Sequence, residues 1–597
     1  MFSCNSEEEN RGTATSVTSF TSSASLNETK LAGNGFNVLD VDNDGVANEQ
    51  DTCPLDPHYS ENYPAFYKDK DGDLLGDVNE RVDTCSKTAG VVSNYYDEDD
   101  TKLQKDFLFT IEVGEGDFFT LPQSEDFEYH FSVCWDNQDL NSDGDKECER
   151  FIGKTDQLAT HYYPDSGTYQ IKINGYFPAI YFGSDAYSAL KVISVDQIGA
   201  NQYRSFKNAF NGTSNMSSFT IGDSDTSRVT DFSNAFKGDS LAKVSTLDLT
   251  GLDTSSATNF TSMFNSSTVN GFVLGGLDTS NVVTMNSMFK SINVASLDLT
   301  GWDTSSVTNF HEMFRAAVIP NLNLAGLDTS KVKNMIRMFL WSTIPTVDLS
   351  TWNTSNITDM THAFASSNLT SLNLTGSFST SNVTTMHGTF EYLGATTTVD
   401  LSNFDTSKVT SFVNFFKGAL ITSIDVTSFN TSNATTFSNM FLSNNLASIT
   451  GLNNPNFDTS KVESFYAMFL NTDATTIDVS NFNTSNANSM QNMFRNTGIA
   501  GTLDLSHFDT SNVNSFQEMF RDSVSVTAFD LTGFVLKTDA NLYRFLRSVT
   551  GTVDVTNWDT TGYYTPTSTI KIIGAGLVIG SQSFEFKTAT PVFSKQY

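Results

Sequence analysis

Beyond about residue 186 the apolar positions recur in a fixed block. Within 272–297, Val282, Met285, Met288 and Phe289 stand at i, i+3, i+6 and i+7, the spacing of one helix face. Ser296-Leu297-Asp298-Leu299-Thr300 then alternates as a strand. Ahead of the apolar face lies Asp278-Thr279-Ser280, whose carboxylate and hydroxyls suit a turn or a helix cap. The block returns at Asp253, Asp278, Asp303, Asp328 and Asn353, 25 residues apart each time. It continues at Ser379, Asp405, Asn430, Asp458, Asn483 and Asp509, with a degenerate member at Asp559 and earlier ones at Asp225 and Gly199. A Phe follows 11 residues after most starts, as at Phe264, Phe289, Phe314, Phe339 and Phe364. A period in the twenties predicts a solenoid, in which a coil buries its apolar side only against its neighbours. Each coil is expected to hold one strand, a turn and about two turns of helix. With about 4.8 Å per coil, some fourteen coils predict a length of roughly 65 Å.

Ahead of the repeats the period shortens to two. Phe107-Phe109-Ile111, Phe127-Tyr129-Phe131-Val133 and Tyr169-Ile171-Ile173 predict strands of a small sandwich over 104–185. The run from His161 to Tyr169, with Trp135 upstream, resembles a PKD-type immunoglobulin-like domain, which implies a spacer role. In it His161 reads as a structural residue. After Gly562 the pattern dissolves into strand-like runs, expected to cap the last coil over 563–597. The fold class is therefore mainly β with short helices: a solenoid over 186–562, preceded by an acidic loop segment (36–103) and the sandwich.

The chain has 597 residues, with 68 Asp and Glu against 34 Lys and Arg, for a net charge of -34. That balance argues against nucleic acid and against anionic lipid, since both need clustered cations. No apolar run approaches the length of a membrane-spanning helix. The five cysteines fall at Cys4, Cys53, Cys85, Cys134 and Cys148. Two local pairs, Cys53 with Cys85 and Cys134 with Cys148, suggest disulfides and an oxidising compartment. Cys4, followed by a polar, Ser/Thr-rich stretch over 1–35, resembles the mature start of a bacterial lipoprotein. Either it is the lipidated residue of a flexible tether or it is a free thiol.

Three acidic runs are candidate calcium sites, because alternating carboxylates on a glycine-containing loop converge hard oxygens on one cation. In the first, Asp40, Asp42 and Asp44 precede Gly45, then Asn48, Asp51 and Cys53. This resembles the thrombospondin type 3 repeat, which implies those five residues as calcium ligands. In the second, Asp69, Asp71, Asp73 and Asp77 surround Gly72 and Gly76, similar to an acidic module of bacterial surface proteins. The competing reading is a solvated acidic linker. The third, Asp139, Asn141 and Asp143, starts like an EF-hand but has Arg150 where the closing Glu belongs, so turn chemistry explains it as well as weak calcium binding does.

Leu401-Ser402-Asn403-Phe404-Asp405-Thr406-Ser407-Lys408-Val409-Thr410 closely resembles the unit of the BspA-type leucine-rich repeat family. The resemblance implies a surface protein of bacterial or protist type, several of which are adhesins. One row invites a functional reading. Asp248, Asp298, Asp348, Asp400, Asp425, Asp478 and Asp504 sit between inward apolar neighbours, so alternation sends them out on one sheet face. Stacked like charges need a cation or a basic partner, or they form a solubilising face. The seven His are scattered and no nucleophile motif, phosphate loop or zinc motif occurs, so no enzyme is expected. Two functions stay open: a calcium-stabilised surface adhesin that binds an extracellular protein or glycan, and a filament subunit that self-associates through its ends or acidic loops.

Overall fold

A computed structural model describes residues 106–136, 148–154, 158–238, 241–394, 398–443, 445–537 and 540–555, and three short strands nearer the N-terminus. The chain divides into two units, 1–103 and 104–597. In the first, β1 (Ala65–Lys68) pairs antiparallel with β2 (Arg81–Asp83) on one side and with β3 (Val91–Val92) on the other.

The second unit opens with β4 (Phe107–Val113), β5 (Asp117–Thr120), β6 (Glu128–Cys134), β7 (Cys148–Lys154), β8 (Thr160–Tyr163) and β9 (Gly167–Tyr176). β5 and β8 form a two-stranded sheet whose Phe119 packs on Phe109 of β4, with ring centroids 5.8 Å apart. The larger sheet has the order β11-β10-β4-β9-β6-β7, in which β10 spans Val192–Gln197 and β11 spans Ser218–Phe219. β10 pairs antiparallel with β4 and parallel with β11. A strand C-terminal to residue 185 therefore joins the sandwich sheet to the first coils, and one apolar core runs through both. The β4–β9 region thus covers the first coil's otherwise open end, as a solenoid end requires.

The repeats form a β-solenoid of about 25 residues per coil. Among the described residues, eleven short strands, β12 (Thr246–Asp248) to β22 (Thr552–Asp554), carry the first ladder, with Leu297 opposite Leu322 and Val347 opposite Leu372 in parallel register. A second parallel ladder of single bridges runs from Ala179–Ser205 through Thr284–Asn309 to Ser515–Asn541. Between the ladders the inward columns stack. Phe264, Phe289, Phe314, Phe339, Phe364 and Phe390 lie with successive centroids 5.5–5.8 Å apart and planes within 17°. Since one coil rises only about 4.8 Å, the rings are slipped sideways, which is the offset stacking that aromatic quadrupoles favour.

The expected helix is absent. Among the described residues the only α-helix is α1 (Ala186–Ala189), before the repeats. The apolar spacing at Val282, Met285, Met288 and Phe289 comes from tandem turns instead. Met285, Ser287, Phe289 and Ser291 donate their backbone N–H groups to the next coil, at Asn309, His311, Met313 and Arg315, while Met288 and Lys290 close onto Met285 and Ser287. A helix would keep every N–H within its own coil. Ser287 and Ser291 flip to φ of 56° and 59°, and the two flips, four residues apart, return the apolar side chains to the same inward face. The column containing Ser287 is left-handed in fourteen coils, from Asn208 to Arg544.

The Thr of each Asp-Thr-Ser is buried, and its hydroxyl donates to a backbone carbonyl one coil on: Thr279 to Asp303, Thr304 to Asp328 and Thr329 to Asn353, at 2.7–3.0 Å. Thr329→Val keeps the shape and strips the donor, leaving a buried carbonyl short of a partner. Denaturant titration should show a loss of about 1–2 kcal/mol at unchanged slope. An unchanged midpoint would show that the hydroxyl ladder does not stabilise the stack.

Candidate functional site

The proposed calcium ligands Asp40, Asp42, Asp44, Asn48, Asp51, Asp69, Asp71, Asp73, Asp77, Asp139, Asn141 and Asp143 lie outside the described residues, as do Cys4, Cys53 and Cys85. Cys134 and Cys148 form a disulfide between the paired ends of β6 and β7. No group of three or more His, Cys, Asp or Glu able to hold a metal occurs among the described residues. At the sandwich, Trp135 stacks on His161 at 5.0 Å, and the buried Tyr163 hydroxyl donates to the Trp135 carbonyl.

The strand aspartates do line one exposed edge. Each spends one oxygen locally: Asp248, Asp298, Asp348, Asp400, Asp425, Asp478 and Asp504 accept, through Oδ1, the backbone N–H two residues on, at 2.9–3.1 Å. These Asx turns bend the chain out of the strand. For Asp298, the Thr300 hydroxyl and N–H hold the carboxyl below its ordinary range. The row is also less continuous than the spacing implies. In register, Asp248 faces Val273, Asp298 faces Asn323 and Asp348 faces Asn373, so like charges in that half stand two coils, about 9.6 Å, apart. Asp504, Asp530 and Asp554 do stand in adjacent strands.

The opposite character appears on the edge formed by the tandem turns. Glu312, 7% exposed, receives Lys290 at 2.6 Å, Arg315 at 2.9 Å and Arg337 at 3.8 Å. Glu518, 8% exposed, receives Arg495 at 2.8 Å, Arg521 at 2.9 Å and Arg544 at 3.4 Å. The two tetrads occupy the same columns of their coils. In each, a left-handed Glu takes a cation from the preceding coil, one three residues on, and one from the left-handed position of the following coil. A third cluster joins Glu391 to His362 and Lys417, with the His362 and His387 rings 5.0 Å apart.

This edge also carries every exposed aromatic side chain among the described coil residues: Trp341, Tyr392, Tyr466 and Tyr543. Arg315 lies over Trp341, Lys417 over Tyr392 and Arg544 over Tyr543, at 4.7–5.2 Å. Trp341 and Tyr392 hold φ of 62° and 51°, at a column where other coils place Gly212, Gly238, Gly418 or Asn471. Bulky residues there are strained by about 1 kcal/mol or more.

The tetrads escape a reading along the sequence because two of the three cations around each Glu lie 22–26 residues away from it. The available signal is Glu-Met-Phe-Arg, which occurs at 312–315 and again at 518–521.

The coils match, in four overlapping stretches (204–293, 268–376, 368–449 and 442–558), the family described as Mycoplasma protein of unknown function, DUF285. No curated protein and no solved structure matches the chain. With more than half of its residues inside those four stretches, the chain belongs to the DUF285 repeat family.

Proposed function

We propose that this is a surface-displayed repeat protein with a binding rather than a catalytic role, whose solenoid presents its lateral edges to an extracellular protein or glycan. The observation that carries this reading is the contrast between inward and outward columns. The Phe stack and the buried Thr ladder scarcely vary, whereas the left-handed column runs, in consecutive coils, Ser287, Glu312, Arg337, His362, Gly388 and Asn414. A purely structural coil has no need of that outward variety, while a surface that discriminates a partner does. Calcium belongs to the same proposal. The acidic runs around Asp42 and Asp71 supply only carboxylate and amide oxygens, a donor set for a hard cation, and would order the segment on the N-terminal side of β4.

The test is adhesion of the labelled full chain to immobilised matrix proteins and glycans, paired with negative-stain microscopy in calcium and after chelation. Single particles that adhere support the reading. Ordered filaments in calcium, dispersed by chelator and without ligand binding, would replace it with the self-assembling alternative.

The acidic edge can be judged separately. Asn323 and Asn373 already make the turn that Asp makes, each accepting the N–H two residues on at 3.1 Å. Asp298, Asp348, Asp400 and Asp425, all changed to Asn, therefore lose charge and keep the turn. Stability should move by no more than about 0.5 kcal/mol per site, so a loss of adhesion would report on charge alone. Undiminished adhesion removes this row from the binding surface.

A further inference from the structure

The tandem-turn edge is cationic in a chain of net charge -34, and its cations are not balanced. Around Glu312 three positive groups meet one carboxylate, a surplus of two. Around Glu518 three meet that carboxylate and Asp522, whose Oδ2 lies 3.0 Å from Arg521. Arg547 stands one coil beyond Arg521 in the same column and restores a surplus of two. One cation neutralises a buried Glu, so the second and third leave net positive charge at this edge. Arg337 is 46% exposed. The same four-residue arrangement recurs eight coils later, roughly 40 Å at 4.8 Å per coil.

We propose that this edge binds a linear anionic polysaccharide, its acid groups held by the cation clusters around Glu312 and Glu518 and its sugar rings lying on the exposed aromatic side chains between them. The proposal rests on the reading of the solenoid as a ligand-presenting surface and names the ligand class. Three observations select a polysaccharide. The cations are concentrated at two points too far apart for one small anion, so the ligand is extended. Trp341, Tyr392 and Tyr466 follow the first cluster along the same edge, and the apolar C–H face of a sugar sits well against the electron-rich face of an aromatic ring. Trp341 and Tyr392 occupy strained left-handed positions, an arrangement that folding alone disfavours and that a binding role explains. Nucleic acid would demand cations along its whole phosphate track, whereas here they cluster around Glu312 and Glu518.

The test uses the full-length protein on immobilised dextran sulfate and alginate, which separate sulfate from carboxylate recognition, with neutral dextran as control. The wild type should be retained on at least one anionic matrix, released by salt, and pass through neutral dextran. The double variant Arg337→Gln/Arg544→Gln should bind roughly tenfold more weakly with a shallower salt dependence. Trp341→Ser relieves strain, so it should fold at least as well and still bind severalfold more weakly. Failure of the wild type to bind either anionic matrix overturns the proposal, as does equal retention of both variants. Efficient displacement by duplex DNA would overturn the polysaccharide as the partner. If the protein adheres to matrix proteins yet ignores both polysaccharides, this inference falls and the broader binding role survives; if it adheres to nothing, the broader role falls too.

Discussion

Phe339→Ala should destabilise the solenoid by about 3–5 kcal/mol and split its unfolding into two steps. The Phe339 ring is fully buried, with Phe314 5.5 Å to one side and Phe364 5.6 Å to the other. Truncation therefore removes two stacking contacts and opens a cavity that the neighbours cannot close. Their backbones are held by the inter-coil bonds Phe314 to Met338 and Phe339 to Ala363, at 2.9 and 2.8 Å. A coil touches only its neighbours, so stability is close to a sum of coil and interface terms. Weakening two adjacent interfaces in the middle of the array lets the halves unfold separately. Trp302 and Trp352 are both buried and lie on either side of the lesion, so urea titration followed by fluorescence reads the change directly. Phe339→Leu should lose less than half as much. A single transition displaced by under about 1 kcal/mol would show that the Phe stack fills space without coupling the coils.

The same columns explain what could be read from the chain and what could not. Val282, Met285, Phe289 and Leu297 announce a period, an inward face and a strand, because burial constrains residue type wherever coils repeat. Met285–Phe289 mimics a helix because a pair of left-handed turns returns side chains to one face at helical spacing. The discriminating signal is the residue at the flip. Asn208, Asn234, Asn414, Asn439 and Asn492 occupy it, and Asn tolerates that conformation better than most residues. Membership of β10 in the sandwich sheet was equally hidden, since a strand's sequence does not say which edge it joins. The outward aspartates were legible as a row, but their Asx turns to Thr250 or Thr300 depend on backbone geometry. Lys290, Glu312 and Arg337 come together only when three coils stack.

Glu312→Gln should move stability and polyanion retention in opposite directions. Burial pushes the Glu312 carboxyl upward, but the hydrogen bond from Lys290 and the charges of Lys290 and Arg315 outweigh it and hold the group below its ordinary value of 4.5. The sign follows from linkage: a depressed folded value means that ionised Glu312 stabilises the fold above the ordinary carboxylate range, and this is lost as pH falls through the folded value. Near neutrality the glutamine variant leaves three cations facing one another without their anion, so about 2 kcal/mol should be lost, less than for a fully buried pair because the cations reach solvent. In acid, where the wild-type carboxyl is itself protonated, the two stability curves should converge. Meanwhile the surplus around residue 312 rises from two charges to three, and retention on dextran sulfate should strengthen below the unfolding temperature. A purely structural cluster predicts the stability loss alone. If retention falls with stability, surplus charge is not what holds the polyanion; if the stability difference persists into acid, the Glu312 carboxylate is not what balances Lys290, Arg315 and Arg337.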